Sequence, residues 1–181
     1  MKVLIDACVL YPTVMREMVL GVAEQGLFTP LWSPRIIGEW AHAAARLGAE
    51  HAETARAEIA LLRAKWPDSD VDYDAVLEQG LHLPDVNDRH VLAAAIAGGA
   101  QTLLTMNLRD FPTNILASHH ILRRDPDGLL CEYLATDKDA VCAVARAVHA
   151  TAERLSGQTL GMRPLMKKAR LPRLGKALER L

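Results

Sequence analysis

The amino-acid sequence predicts an α/β protein built on a central parallel sheet, with a small helical extension at its C-terminal end. Three observations carry this expectation. A short apolar run without polar alternation occurs at residues 3–5, the pattern of a strand buried on both faces, and further strand patterns occur at 28–32 and 101–106. Segments of helical period separate these runs, which implies right-handed crossovers between parallel strands. After residue 122 only helical patterns follow. The chain therefore divides into an expected α/β domain at 1–122 and a helical extension at 123–181. In parallel sheets of this kind the chemistry lies outside the C-terminal ends of the strands.

Each element follows from its residues. Val3-Leu4-Ile5 is the first strand. Pro12 suits the first turn of a helix, where its missing N–H is no loss, and Met15, Met18, Val19, Val22 and Ala23 recur at helical spacing before Gly26. Residues 28–32 give a shorter strand. Ser33-Pro34 pairs an N-cap with proline at the first helical position. Ile36, Ile37, Trp40, Ala44 and Leu47 then trace one apolar face. An Ala/Glu/Arg-rich helix is expected at 49–66, stopped by Pro67, and a short helix at 73–79. Pro84-Asp85 opens an alanine-rich helix that Gly98-Gly99 ends. Residues 101–106 form a third strand and 120–122 a last one. Asp125-Pro126 starts another helix, Thr136 with Asp139 resembles a capping box, and two short basic helices split by Pro172 close the chain.

The bulk composition bounds the function. The 181 residues are half apolar and about a quarter charged, enough for one sizeable core plus an appendage. The net charge of −1 hides an asymmetry: residues 1–119 carry a net of −6 and residues 120–181 a net of +5. An acidic body with a basic tail suits a polyanionic substrate, and equally suits two solvated helix faces of opposite sign. Cys8, Cys131 and Cys142 form no CxxC pair and read as reduced thiols. No HExxH, GxGxxG or GxxxxGK[ST] occurs, which argues against a zinc, dinucleotide or P-loop site. Asp6 interrupts the first apolar run, so no signal peptide is expected. No stretch approaches the ~18 apolar residues of a membrane span. The expectation is a soluble, cytoplasmic protein.

Acidic residues stand where strands end or helices begin. Asp6 closes the first strand, where a carboxylate is costly to bury unless paired or metal-bound, and this local pattern favours a functional role over a strand-end Asp that merely makes a turn. Glu39 lies in the first turns of the helix after Ser33-Pro34, where most glutamates face water. Asp85 and Asp88 are spaced i, i+3 and share a face at a helix start, or serve as an N-cap and a dipole-favoured acid. Asp110 follows the third strand and could simply cap a turn, while Thr105 and Asn107 offer neutral oxygens nearby. Convergence of such acids at one sheet edge would demand a divalent cation. The pair His119-His120 lacks further ligands, and Cys8 reads as a buried small side chain rather than a nucleophile.

Four stretches in order resemble the PIN-domain family, and within it the VapC-like toxins: Val3-Leu4-Ile5-Asp6-Ala7-Cys8-Val9-Leu10-Tyr11-Pro12, Ser33-Pro34-Arg35-Ile36-Ile37-Gly38-Glu39-Trp40, Leu83-Pro84-Asp85-Val86-Asn87-Asp88-Arg89-His90, and Leu104-Thr105-Met106-Asn107-Leu108-Arg109-Asp110-Phe111-Pro112. The resemblance covers roughly residues 1–120, and the helical tail looks like an extension carried by one branch. It implies a three-layer α/β/α sandwich and a ribonuclease that uses Mg2+ or Mn2+. Asp6, Glu39, Asp88 and Asp110 fall on the family's acidic positions, with Asp85 as an additional acid. Either Asn107 or Asp110 fills the fourth position, and Cys8 stands where the family often has Asn or Ser. Arg35, Arg89 and Arg109 are candidate phosphate contacts. The resemblance also implies an RNA substrate and an antitoxin protein as partner, and homodimers are common in the family. A catalytically silent RNA- or protein-binding module, or a DNA-directed nuclease on the same scaffold, are the competing expectations.

Overall fold

Strand β1 (Lys2–Ile5) sits inside a four-stranded sheet of order β2-β1-β3-β4, where β2 is Thr29–Leu31, β3 is Thr102–Leu104 and β4 is Leu122–Arg124. β1 is parallel to both neighbours, with Leu4 opposite Leu31 on one side and Leu103 on the other. Val3, Leu4, Ile5, Leu103 and Leu104 are fully buried, which is why these runs show no polar alternation. The chain moves from β1 outward to β2 and returns on the other side as β3. This reversal opens a crevice beyond the C-terminal ends of β1 and β3.

The computed structural model describes residues 1–181. It comprises two compact units, Met1–Tyr11 with Thr29–Arg123, and Pro12–Phe28 with Arg124–Leu181. The chain passes between these units after Tyr11, after Phe28 and after Arg123. The segment Pro12–Phe28 groups instead with the C-terminal helices.

The first unit holds the sheet and helices α1 (Ala7–Leu10), α3 (Pro34–Ala45), α4 (Ala49–Lys65), α5 (Ala75–Gly80), α6 (Arg89–Ala97) and α7 (Thr113–Ser118). α3 begins as the Ser33-Pro34 signal predicts: the buried Ser33 Oγ accepts the Ile36 N–H at 3.2 Å, and Pro34 is the first helical residue. Ile36, Ile37, Trp40 and Ala44 face the core. Gly38 stands mid-helix, where glycine costs about 1 kcal/mol relative to alanine, yet a Cβ there would meet nothing within 4 Å. Replacing Ser33 by Ala should cost about 1–2 kcal/mol by stranding the α3 amide, read as a lower urea midpoint at unchanged slope. An unchanged midpoint would show that the cap adds nothing.

The second unit contains α2 (Thr13–Glu24), α8 (Pro126–Thr136), α9 (Lys138–Ser156), α10 (Met162–Lys168) and α11 (Pro172–Leu178). Met15, Met18, Val19, Leu129, Leu130, Val141, Met166, Leu171 and Leu174 are its buried residues of note. The Cβ position of Gly21 on α2 lies 2.5 Å from Val144 on α9, so only glycine permits that approach of two helices. No helix is long and apolar enough to cross a membrane.

Several boundaries differ from the sequence reading, each for a local reason. Pro12 is the N-cap of α2 in extended conformation, not its first residue. α3 stops at Ala45, leaving Leu47 outside the helix and 60% exposed. The alanine-rich helix α6 starts at Arg89, because Asp85 Oδ1 accepts the Asn87 N–H at 2.8 Å and nucleates a 3-10 turn, Val86–Asp88. β4 begins at Leu122, since His120 adopts φ +60° in the turn before it. Asp137, not Thr136, caps α9 by accepting the Ala140 N–H, and Thr136 is the last residue of α8. The helices α1 and α7 have no counterpart in the sequence reading.

Candidate metal centre

β1 delivers Asp6 to the crevice. Its N–H donates to the Leu104 carbonyl at 3.0 Å, extending the β1–β3 ladder by one residue. This register sets Asp6 beside Thr105, whose buried hydroxyl donates to Asp6 Oδ2 at 2.6 Å. The Cys8 thiol donates to the same oxygen at 3.1 Å. Asp6 is 8% exposed and makes no side-chain cap to α1, so Oδ1 accepts no protein hydrogen bond. Burial, followed by the charge of Asp6, pushes the Cys8 thiol up to about 12. Cys8 is therefore a protonated donor that orients Asp6, and not a nucleophile.

Asp85, Asp88 and Asp110 come together from the 3-10 turn before α6 and the loop after β3. Each offers a carboxylate oxygen, and these oxygens all lie within 4.8 Å of one another. Asn107 organises this meeting. Its Nδ2 donates to Asp88 Oδ2 at 3.0 Å, its Oδ1 accepts the Asp110 N–H at 3.4 Å, and its own N–H donates to Thr105 Oγ1 at 3.0 Å. The residue caps the turn at Asp110 and also bridges to Asp88. Asp110 is thus free to present its carboxylate.

The electrostatics record the crowding. The Asp88 carboxyl rises from 3.8 to about 6, first through desolvation and then through the charges of Asp6, Asp85 and Asp110, with His90 opposing. Asp6 therefore acts on Asp88 although it stands outside the group of three. Carboxylate oxygens alone form this donor set, which fits a hard cation such as Mg2+, Mn2+ or Ca2+ and offers nothing to a soft one.

Glu39 is placed differently. Its carboxylate is about two-fifths exposed and lies 2.8 Å from Nε2 of His90, a ring that is almost wholly buried. Arg35 Nε is 3.9 Å away on the preceding turn of α3. Glu39 thus flanks the centre through His90, two residues along the chain from Asp88, and is not one of the three converging acids. His90 is the partner of Glu39 that the sequence reading misses. A single histidine opening the apolar run His90-Val91-Leu92 looks like ordinary core filling.

The three candidate arginines are not equivalent. Arg35 is engaged by Glu78 at 3.0 Å and donates to the Asn87 carbonyl at 3.4 Å. Arg89 is partly buried, and its Nε has no partner. Arg109 is exposed.

Residues 2–109 match the family described as PIN domain, well over half of the chain and up to one residue short of Asp110. A protein of Mycobacterium tuberculosis named "Putative ribonuclease VapC50" is 40% identical over 57 residues, which are 32% of this chain and 34% of that protein. The matched stretch spans about a third of that relative's length. No solved structure matches.

Proposed function

The chain belongs to the PIN-domain family, and we propose that within it this protein is a divalent-metal-dependent endoribonuclease and the toxin of a toxin–antitoxin pair. The observation that supports this reading best is the meeting of Asp85, Asp88 and Asp110 within 4.8 Å beside the buried Asp6. Asp6, Asp88 and Asp110 would hold Mg2+ or Mn2+, with Asp85 as an additional ligand and Glu39 at the flank. When bound, such an ion supplies an acidified water for attack on the phosphodiester and positive charge for the phosphate oxygens.

The chain's own residues prepare the site. Thr105 and Cys8 engage one oxygen of Asp6 and leave the other available to a metal ion. Asn107 holds Asp88 and the Asp110 loop in place. His90 restrains the Glu39 carboxylate, which would otherwise sample solvent. Hydrolysis by water in line with the scissile bond leaves a 3′-hydroxyl and a 5′-phosphate. A ribonuclease of this kind is held in check by a protein, so the partners of this reading are an RNA substrate and an antitoxin, with a homodimer also in keeping, in the cytoplasm. The printed name of the mycobacterial relative is in line with this reading.

The test is cleavage of RNA with added Mg2+ or Mn2+ by the wild type and by Asp6→Asn. Cleavage should need the ion and fall by at least about a hundredfold in the variant, some 3 kcal/mol of barrier. Equal cleavage by both proteins would discard the site. Binding of RNA without cleavage under any metal would leave a silent module, and preference for single-stranded DNA in competition would reassign the substrate.

A further inference from the structure

The exposed face of α3 continues away from Glu39 as a shallow groove of about 450 Å³, lined by Arg35, Gly38, Glu39, His42, Ala43 and Arg46. Positions 35, 38, 39, 42 and 46 recur at three- and four-residue steps and so share one helix face. At 1.5 Å per residue this face runs about 16 Å from Arg35 to Arg46, long enough for more than one backbone phosphate.

Its charge is graded along that length. Glu39, the one acid of the groove, is at the end paired with His90 and Arg35. Beyond it, the exposed His42 and Arg46 side chains make no hydrogen bond or ion pair within the protein. Their plainer use would be to neutralise the last carbonyls of α3, but neither side chain bonds to one. Gly38 adds an independent observation. A glycine in mid-helix is unfavourable, and here no neighbour requires it, since a Cβ would meet nothing within 4 Å. It keeps the floor of the groove at backbone level.

We infer that this face of α3 is the track on which the phosphate backbone of single-stranded RNA approaches the acidic centre, an inference that rests on the ribonuclease reading above. Arg46 and His42 contact phosphates distant from the scissile bond, and Gly38 lets the strand lie close against the helix. The groove runs from unpaired cationic and N–H donors towards carboxylates that a divalent ion would neutralise. That order suits a phosphodiester chain, whose regularly spaced charges extend from the cationic end of the groove to the ion-binding carboxylates.

Binding of a short labelled single-stranded RNA to the full-length protein in EDTA, at several KCl concentrations, tests this apart from cleavage. Arg46→Ala should weaken binding about tenfold and lower the steepness of log Kd against log salt by about 0.7. His42→Ala should weaken binding less. Arg56→Ala, the same charge change on α4, should leave the slope unaltered. Gly38→Ala should raise Tm through helix propensity and yet weaken binding, so misfolding is not the cause. In Mg2+ or Mn2+, Arg46→Ala should raise KM and spare kcat. Unchanged affinity and slope in Arg46→Ala, or no RNA binding by the wild type, overturns the inference. If the wild type binds RNA but no metal permits cleavage, the ribonuclease reading falls, while the affinities still decide the groove.

Discussion

Asp88→Asn is expected to melt at a higher temperature than the wild type in metal-free buffer while cleaving RNA at least about a hundredfold more slowly. The two effects have one origin. Asp88 is crowded by Asp6, Asp85 and Asp110 and partly withdrawn from water, which raises its carboxyl to about 6. At neutral pH the folded protein must hold it ionised against that repulsion. The displacement from 3.8 to about 6 would be worth at most about 3 kcal/mol, and solvent screening of a half-exposed group leaves roughly 1 kcal/mol. An amide removes that cost and still accepts the Asn107 Nδ2–H bond. For a chain of this length, about 1 kcal/mol is a rise of roughly 2–4 °C.

The pH dependence has a definite sign. Because the folded-state value lies above the unfolded one, the folded protein binds more protons between about 4 and 6. Wild-type stability attributable to Asp88 must therefore fall as pH rises through that window and stay low above it. The Asp88→Asn variant should lack this decline. Adding Mg2+ or Mn2+ reverses the ranking, since a ligand at a hundred times its Kd stabilises by about 2.7 kcal/mol and needs the carboxylate. Thermal melts of both proteins at pH 4.5 and 7.5, with EDTA or with metal, check all of this. A variant no more stable than wild type in EDTA, or equally stabilised by metal, would show that Asp88 is not held in a repulsive ligand cluster.

The PIN-like α/β/α fold was legible because its strongest signals are local. Val3-Leu4-Ile5 and Leu103-Leu104 are buried on both faces, so the runs are continuous. Ser33-Pro34 and Asp125-Pro126 start helices through their own side chains. The acids were legible as residues at element ends. Their separations were not, because the distances among Asp85, Asp88 and Asp110 depend on how the loop after β3 folds back over the turn before α6. Asn107 sets that fold through three hydrogen bonds, two of them to residues within three positions and one across nineteen. No spacing rule announces the last. Glu39 matched its motif, but its carboxylate follows a buried histidine 51 positions away. The helices α1 and α7, of 4 and 6 residues, are shorter than any window in which a helical period can be counted.

Asp127→Ala should cause the largest stability loss of any single change proposed for this protein, about 3 kcal/mol. In sequence Asp127 looks like an ordinary acid in the first turn of α8, favoured by the helix dipole. In the structure it is buried and serves another helix. Its Oδ2 accepts the Arg173 N–H at 2.9 Å and the Arg173 Nε–H at 3.2 Å, and its Oδ1 accepts the Leu174 N–H at 2.9 Å. α11 has no side-chain cap of its own, and its first residue, Pro172, has no N–H to satisfy. Asp127 therefore pairs the amides that follow, from 46 and 47 positions away. Removing it strands two amides at a cost of about 1–3 kcal/mol each when they stay buried, whereas the Arg173 guanidinium keeps Asp125 at 2.8 Å. A seven-residue helix cannot persist on propensity alone. The variant should melt roughly 6–12 °C lower and lose hydrogen-exchange protection at Arg173 and Leu174 first. Asp127→Asn, which keeps one acceptor oxygen, should fall between. Wild-type protection of those two amides in Asp127→Ala would mean that burial of Leu171 and Leu174, not the distant carboxylate, holds α11 in place.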